Sequence, residues 1–211
     1  MDGMLLDTER LSFIAWKDGA KAIGYEMEDA FFHSLIGLNW KSIQLRLLES
    51  LGADIDVTEL TRVAGLRYDE LITEGAPIKP GVKECLSELT ARRVPQALAT
   101  SSSERITTKK LGHHGLLKHF KAVVTGDQVT HGKPHPEPYL TAARRLGVDP
   151  ARCIAFEDSV NGIRSAHGAG MHTVLIPDLS AHDEEAMSRV SLSFDSLLKA
   201  LPFLKAVFAE R

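Results

Sequence analysis

The chain has 211 residues, with 25 Lys and Arg against 28 Asp and Glu, a formal charge of −3, and 44% hydrophobic and 25% charged residues. This composition excludes a mostly disordered chain and a nucleic-acid binder held by a general basic surface. Two cysteines, Cys85 and Cys153, are too few for a disulfide framework or a Cys-rich zinc centre, and no apolar run approaches the roughly 18 residues that span a bilayer. The N-terminus has no basic region followed by an apolar core. The expectation is a cytoplasmic, monomeric protein with no membrane or nucleic-acid partner.

From Thr8 to Tyr68 no clear strand pattern is found. Apolar residues fall at helical spacing instead: Leu11, Ile14, Ala15 and Ala22, then Phe31, Leu35 and Ile36, then Ile43, Leu47 and Leu48. This predicts a run of amphipathic helices, the first capped by Asp7 or Thr8. Pro77 and Pro80-Gly81 mark the end of this stretch. From Pro80 onward, short runs rich in Val, Ile and Ala alternate with helical stretches. The predicted strands are 96–100, 122–125, 153–156 and 173–176. The predicted helices lie near 81–93, 103–112, 136–146, 161–169 and 195–208. Such alternation predicts an α/β fold with a doubly wound parallel sheet.

Open parallel sheets bind ligands at the carboxyl ends of their strands. Thr100-Ser101-Ser102-Ser103 comes after the first predicted strand. Gly126-Asp127 and His131-Gly132-Lys133-Pro134 come after the second, Glu157-Asp158-Ser159 after the third, and Pro177-Asp178 after the fourth. A hydroxyl cluster, a lysine and adjacent carboxylates are thus expected along one sheet edge. These groups suit phosphoryl transfer, which needs charge on the phosphoryl oxygens neutralised and the nucleophile positioned. Lys133 supplies a positive charge. Thr100 and the amides after it donate hydrogen bonds. Glu157 and Asp158 are hard oxygen ligands of the kind Mg²⁺ takes. Asp2-Gly3 and Asp7 add carboxylates near the N-terminus, Gly3 permitting a tight turn.

Each element also has a plainer reading. The hydroxyl cluster fits the cap of the next helix. Lys133 fits a solvated surface lysine, and Glu157-Asp158 before Ser159 and Gly162 fits a helix N-terminus. His113-His114, His131 and His135 show no metal-ligand spacing and read as surface or loop residues. The order of the motifs at consecutive strand ends favours the functional reading.

In that order the motifs resemble the haloacid dehalogenase-like superfamily of phosphohydrolases, in the branch containing beta-phosphoglucomutase, small sugar-phosphate phosphatases and pseudouridine-5′-phosphatase. Four segments are similar to the family's four motifs: Met1-Asp2-Gly3-Met4-Leu5-Leu6-Asp7-Thr8-Glu9, Ala97-Leu98-Ala99-Thr100-Ser101-Ser102, Gly132-Lys133-Pro134-His135-Pro136-Glu137, and Phe156-Glu157-Asp158-Ser159-Val160-Asn161-Gly162-Ile163. The resemblance implies a Rossmann-like core domain, residues 1–7 and 80–211, with a helical cap inserted at residues 8–79. It implies a Mg²⁺-dependent phosphatase acting on a small phosphorylated metabolite, with Asp2 as general acid/base and, through its carbonyl, a metal ligand. Thr100, Ser101 and Ser102 would hold the phosphate with Lys133, which also stabilises the transferring group. Glu157 and Asp158 would complete the metal site, and the cap would exclude water from the reacting centre.

The sequence departs from the family in two places. The family's first motif is D-x-D-G after an apolar strand, and its first Asp becomes phosphorylated. Met1 stands at the x position, so that Asp and the central core strand fall before Met1. The expectation is that about 5–15 further residues belong upstream. Without the nucleophile the chain does not form an aspartyl-phosphate. The second departure concerns beta-phosphoglucomutase, which has a His at the position matching Ser12 and an Arg at the position matching Trp40. The register is set by Ala15-Trp16-Lys17 and Gly37-Leu38. Lys41 carries a charge nearby but is no bidentate clamp. A phosphatase is therefore favoured over its rivals, a phosphomutase or a catalytically dead binding module. Specificity is expected from Ser12, Asn39, Trp40 and Lys41.

Overall fold

The computed structural model describes residues 1–35, 40–51, 56–179 and 182–209. Ile36, Gly37, Leu38 and Asn39 lie outside these residues, as do the side chains of Trp40 and Lys41. The chain divides into two compact units. One comprises Met1–Leu6, Ile78–Asp178 and His182–Arg211; the other comprises Asp7–Pro77 and Leu179–Ala181.

The second unit is helical: α1 (Thr8–Ala22), α2 (Asp29–Leu35), α3 (Trp40–Leu51) and α4 (Val57–Gly75). Its apolar stripes meet in a core of Ala20, Met27, Phe32, Leu35, Leu47 and Leu60. Asp56 caps α4 by accepting hydrogen bonds from the Thr58 and Glu59 amides at 3.0 and 2.9 Å, satisfying two of the donors a helix start leaves over. Asp7 occupies the corresponding place before α1, but its side chain makes no capping bond. No described helix is long and apolar enough to cross a membrane.

The first unit is α/β. Its elements are α5 (Val82–Ala91), β1 (Ala97–Ala99), α6 (Glu104–Gly112), β2 (Ala122–Val124), α7 (Glu137–Leu146), β3 (Ile154–Glu157), α8 (Val160–Gly168), β4 (His172–Leu175), α9 (Glu184–Met187), β5 (Leu192–Ser193) and α10 (Leu197–Val207). The strand–helix alternation predicted from Pro80 onward is present, and every strand pair is parallel. The strands form two sheets, β1-β2 and β3-β4-β5. Ala97 lies opposite Ala122, and Ile154 opposite His172. Tyr139, Ala143, Ala155, Ala166, Ala169 and Met171 make a shared core, with Ala99 packed against it.

Among the described residues the two sheets do not pair with each other, β1 being bonded along one edge by β2 and β3 along one edge by β4. A cavity of about 370 Å³ is lined by both strands, together with Met1, Leu5, Tyr139 and Leu204. Strand edges that face an apolar slot without a neighbouring strand are costly, because buried N–H and C=O groups are nearly always bonded.

The first six residues are knit into this unit. The Leu5 amide donates to the Met1 carbonyl at 2.8 Å, and the Gly3 amide to Leu6 at 3.0 Å. Leu6 bridges Ile78, and the Lys79 amide donates to Leu5 at 3.0 Å. Met1, Met4, Leu5 and Leu6 are buried. Met1 thus sits where the turn meets the slot.

Candidate active site

The N-terminal turn carries Asp2 and Gly3. Asp2 accepts from Lys110 Nζ at 2.7 Å and from Ser102 Oγ at 3.0 Å. Burial works to raise the Asp2 carboxyl, but the Met1 ammonium, Lys110 and Ser102 together hold it below its ordinary value. Asp2 is therefore ionised near neutrality.

The hydroxyl cluster comes directly after β1. The Thr100 amide extends the ladder by donating to Val124 at 2.9 Å, and buried Thr100 Oγ1 accepts from the Ser102 amide at 3.2 Å. Gly126 N–H donates to the Ser102 carbonyl at 2.9 Å, and Ser101 is exposed. Helix capping does not account for the cluster. Ser103 stands at the start of α6 and makes no side-chain cap. Asp127 reaches over instead and accepts from the Glu104 amide at 3.1 and 3.2 Å.

Lys133 is not a solvated lysine, its side chain being 10% exposed. Nζ donates to the Ala99 carbonyl at 3.1 Å and to Glu157 Oε1 in a short contact. It links the carboxyl ends of β1 and β3. Tyr139 Oη donates to the same Glu157 oxygen, and Ser159 Oγ donates to Oε2 at 3.3 Å. Burial pushes the Glu157 carboxyl up, but Lys133 and Tyr139 outweigh it and keep the group below its ordinary value. Ser159 also caps α8 by accepting from the Gly162 amide at 3.1 Å. A Cβ on Gly162 would lie 1.9 Å from Glu157 Oε2, so this helix start must be bare to admit the carboxylate.

Asp158 turns the other way, toward Gly3. Gly3 has φ +68°, a conformation L side chains rarely adopt, and a Cβ there would meet Asp158 Oδ2 at 2.2 Å and Asp178 Oδ2 at 2.9 Å. The two carboxylates converge on the bare face of the turn. Asp178 Oδ1 is bonded by Lys79 Nζ at 2.5 Å, while Oδ2 is buried without a partner. The Asp158 carboxyl is pushed up to about 6, chiefly by burial and further by neighbouring Glu157, against the pull of the Met1 ammonium and Lys133.

The structure therefore gathers Asp2, Thr100, Ser102, Lys133, Glu157 and Asp158 within one unit. Glu157 has Lys133, Tyr139 and Ser159 for partners, whereas the carboxylate that faces Gly3 beside Asp158 is Asp178. Lys79, Lys110, Tyr139 and Asp178 are site neighbours that the sequence reading did not assign. For Asp178 a signal existed, since Pro177-Asp178 stands directly after a strand. Asp7 belongs to the helical unit.

An α/β unit with phosphate-type donors and carboxylates at its strand ends defines a class, and comparison supplies the family. Residues 1–176 match the haloacid dehalogenase-like hydrolase family, and the chain belongs to it. It is 32% identical over 187 residues to a phosphorylated carbohydrates phosphatase of Thermotoga maritima, covering 89% of this chain and 87% of that one. It is 34% identical over 180 residues to the fructose-1-phosphate phosphatase YqaB of Escherichia coli, covering 82% of this chain and 92% of that one. Among solved structures, the chain is similar to CbbY of Rhodobacter sphaeroides in complex with phosphate. That similarity has a TM-score of 0.70 at 28% identity and covers 95% of this chain and 93% of that one.

Proposed function

We propose that the chain provides the site of a Mg²⁺-dependent phosphatase that hydrolyses a small phosphomonoester, a sugar or nucleoside phosphate, through an aspartyl-phosphate. The observation that carries this reading is the presence, at one end of the strands, of buried Lys133 held by Glu157 and of a second carboxylate pair, Asp158 and Asp178, whose Asp178 Oδ2 has no partner. The names of the relatives, phosphatases of phosphorylated carbohydrates and of fructose 1-phosphate, support the sugar-phosphate class.

The donor set fits Mg²⁺. Asp158 and Asp178 offer hard oxygens to one point beside Gly3, and a buried carboxylate oxygen without a partner is satisfied by a cation. When bound, Mg²⁺ supplies Lewis-acid stabilisation of phosphoryl oxygens and a template for them. The Asp2 carbonyl belongs to the same turn. In this reading Glu157 acts through Lys133, fixing Nζ beside the phosphoryl group, while Thr100, Ser101 and Ser102 donate to its oxygens. Asp2 is set to take a proton from the water that attacks the aspartyl-phosphate and to give that proton to the leaving alcohol of the next turnover.

The nucleophilic carboxylate comes, in this proposal, from an extended segment that fills the slot between β1 and β3 and joins Met1. Such a segment would pair along the two edges that lack a neighbouring strand and deliver its last residue beside Lys133. Joining it turns the Met1 ammonium into a peptide. That removes a positive charge that now acts on Asp2, Glu157 and Asp158, and the cation takes its place.

Two results are expected of the metal site. Asp178→Asn weakens binding of Mn²⁺, a paramagnetic stand-in for Mg²⁺, about tenfold, or roughly 1.4 kcal/mol, in an electron-resonance titration. Unchanged affinity removes Asp178 from the site. Because the Asp158 carboxyl lies at about 6, its proton must leave when the cation binds. Affinity should fall roughly tenfold per pH unit below that value and be flat above it, in the same titration run from pH 4.5 to 8. The reaction class is tested by phosphate release from a panel of sugar and nucleoside phosphates, with the chain joined to the nucleophile-bearing segment. Isomerised product with little free phosphate would instead indicate a mutase.

A further inference from the structure

Outside this site, the segment that carries Lys133 brings together three side chains that the phosphatase reading does not use. We propose that His131, His135 and Glu137 bind a borderline-soft divalent cation of the Zn²⁺ class, at a place separate from the Asp158–Asp178 pair. Each of the three offers one ligand atom, and these atoms all lie within 4.8 Å of one another. The two imidazole rings sit 4.6 Å apart between centroids. Zn²⁺ takes nitrogen and oxygen ligands at about 2.0–2.2 Å. Gathering these atoms around one ion therefore needs them to draw closer, and both rings are exposed.

The carboxylate is already fixed for the task. Glu137 begins α7, its Oε1 accepting from the Thr130 amide at 2.8 Å and its Oε2 from the His131 amide at 2.9 Å. These two amide bonds lead the influences that hold its carboxyl below the ordinary value. His131 Nδ1 stands 3.0 Å from Glu137 Oε2, and the Glu137 amide donates to His135 Nδ1 at 3.2 Å. Both rings are thus tied to the same residue before any ion arrives.

The donor set selects the metal. Two imidazoles and one carboxylate suit Zn²⁺, and such a set leaves further positions for water or another ligand. Mg²⁺ prefers oxygen and keeps its waters, so it belongs at the carboxylate pair. The site has a structural consequence. Residues 131 and 135 stand on either side of Lys133, so one ion would tie together the two arms of the loop that carries Nζ to Ala99 and Glu157.

The test is calorimetric titration of the chelator-stripped chain with Zn²⁺ in excess Mg²⁺, repeated on His131→Ala, His135→Ala and Glu137→Gln. The wild-type chain is expected to bind one equivalent. Each variant should lose at least the tenfold or so that removal of even an outer-shell partner costs. Both histidines are exposed, so their variants should melt as the wild type does in the absence of Zn²⁺, which separates lost binding from lost folding. No binding by the wild type, or binding unchanged in either histidine variant, overturns the three-residue site. The readout is independent of phosphatase activity.

Discussion

Replacing Lys133 by methionine is expected to cost about 3–5 kcal/mol of stability at neutral pH, because it leaves a charged carboxylate buried without its cation, and to abolish phosphate release by the chain joined to the nucleophile-bearing segment. The Lys133 and Glu157 side chains are 10% and 5% exposed, so water cannot take the place of the lost partner. Tyr139 and Ser159 would remain as donors, neither of them charged. The loss depends on pH. In the wild type the Glu157 carboxyl is depressed, so the pair stabilises above the unfolded value and the contribution fades as pH falls through the folded one. In the variant, Glu157 is pushed up and takes a proton early. The difference between the two proteins should therefore be large at pH 7 and shrink toward pH 4. Urea unfolding at both pH values measures it. Adding Glu157→Gln should restore much of the loss, since a neutral amide tolerates burial better than an unpaired charge. A loss below about 1 kcal/mol at pH 7, the range of exposed pairs, would contradict the description of Lys133 and Glu157 as a buried pair.

The second large effect is expected of Gly162→Ala. Within a helix this change ordinarily stabilises, by up to about 1 kcal/mol. Here the added Cβ would stand 1.9 Å from Glu157 Oε2 and 2.0 Å from its Cδ. That carboxylate is no free-swinging chain end, being held by Lys133, Tyr139 and Ser159. Overpacking of this kind costs about 1–3 kcal/mol, so the sign should reverse. The effect should also couple to Lys133→Met, because both changes act on one carboxylate and neighbours are not additive. Thermal unfolding of the two single variants and the double variant gives the coupling. A stabilised or strictly additive Gly162→Ala would mean that Glu157 is free to move aside.

Much of this arrangement was legible in the sequence because it obeys short-range rules. The runs at 96–100, 122–125, 153–156 and 173–176 lead to β1, β2, β3 and β4. Parallel strands all end on the same side of a sheet, so the loops leaving them share one edge, and Thr100, Ser102, Lys133 and Glu157 could be expected together. The helical stretch was visible from its apolar spacing. Other features depend on partners that no window contains. Lys79 meets Asp178 across 99 positions, and Lys110 meets Asp2 across 108. Tyr139 reads as one more apolar residue of a helix until its hydroxyl is seen on Glu157. β5 is a two-residue, exposed strand, too short for a period to register. The convergence of His131 and His135 on Glu137 is made by a turn in which the His135 amide donates to Gly132 at 3.0 Å, not by any spacing that linear reading recognises.

The central claim is that a strand delivering a carboxylate completes this site. It is tested most directly by comparing phosphate release, in Mg²⁺, by the 211-residue chain and by the same chain joined at Met1 to an apolar extended segment ending in Asp. Release is expected from the joined form alone, and its loss when that Asp is changed to Asn. Equal release by both forms, or silence of a joined form that is folded, would contradict the claim.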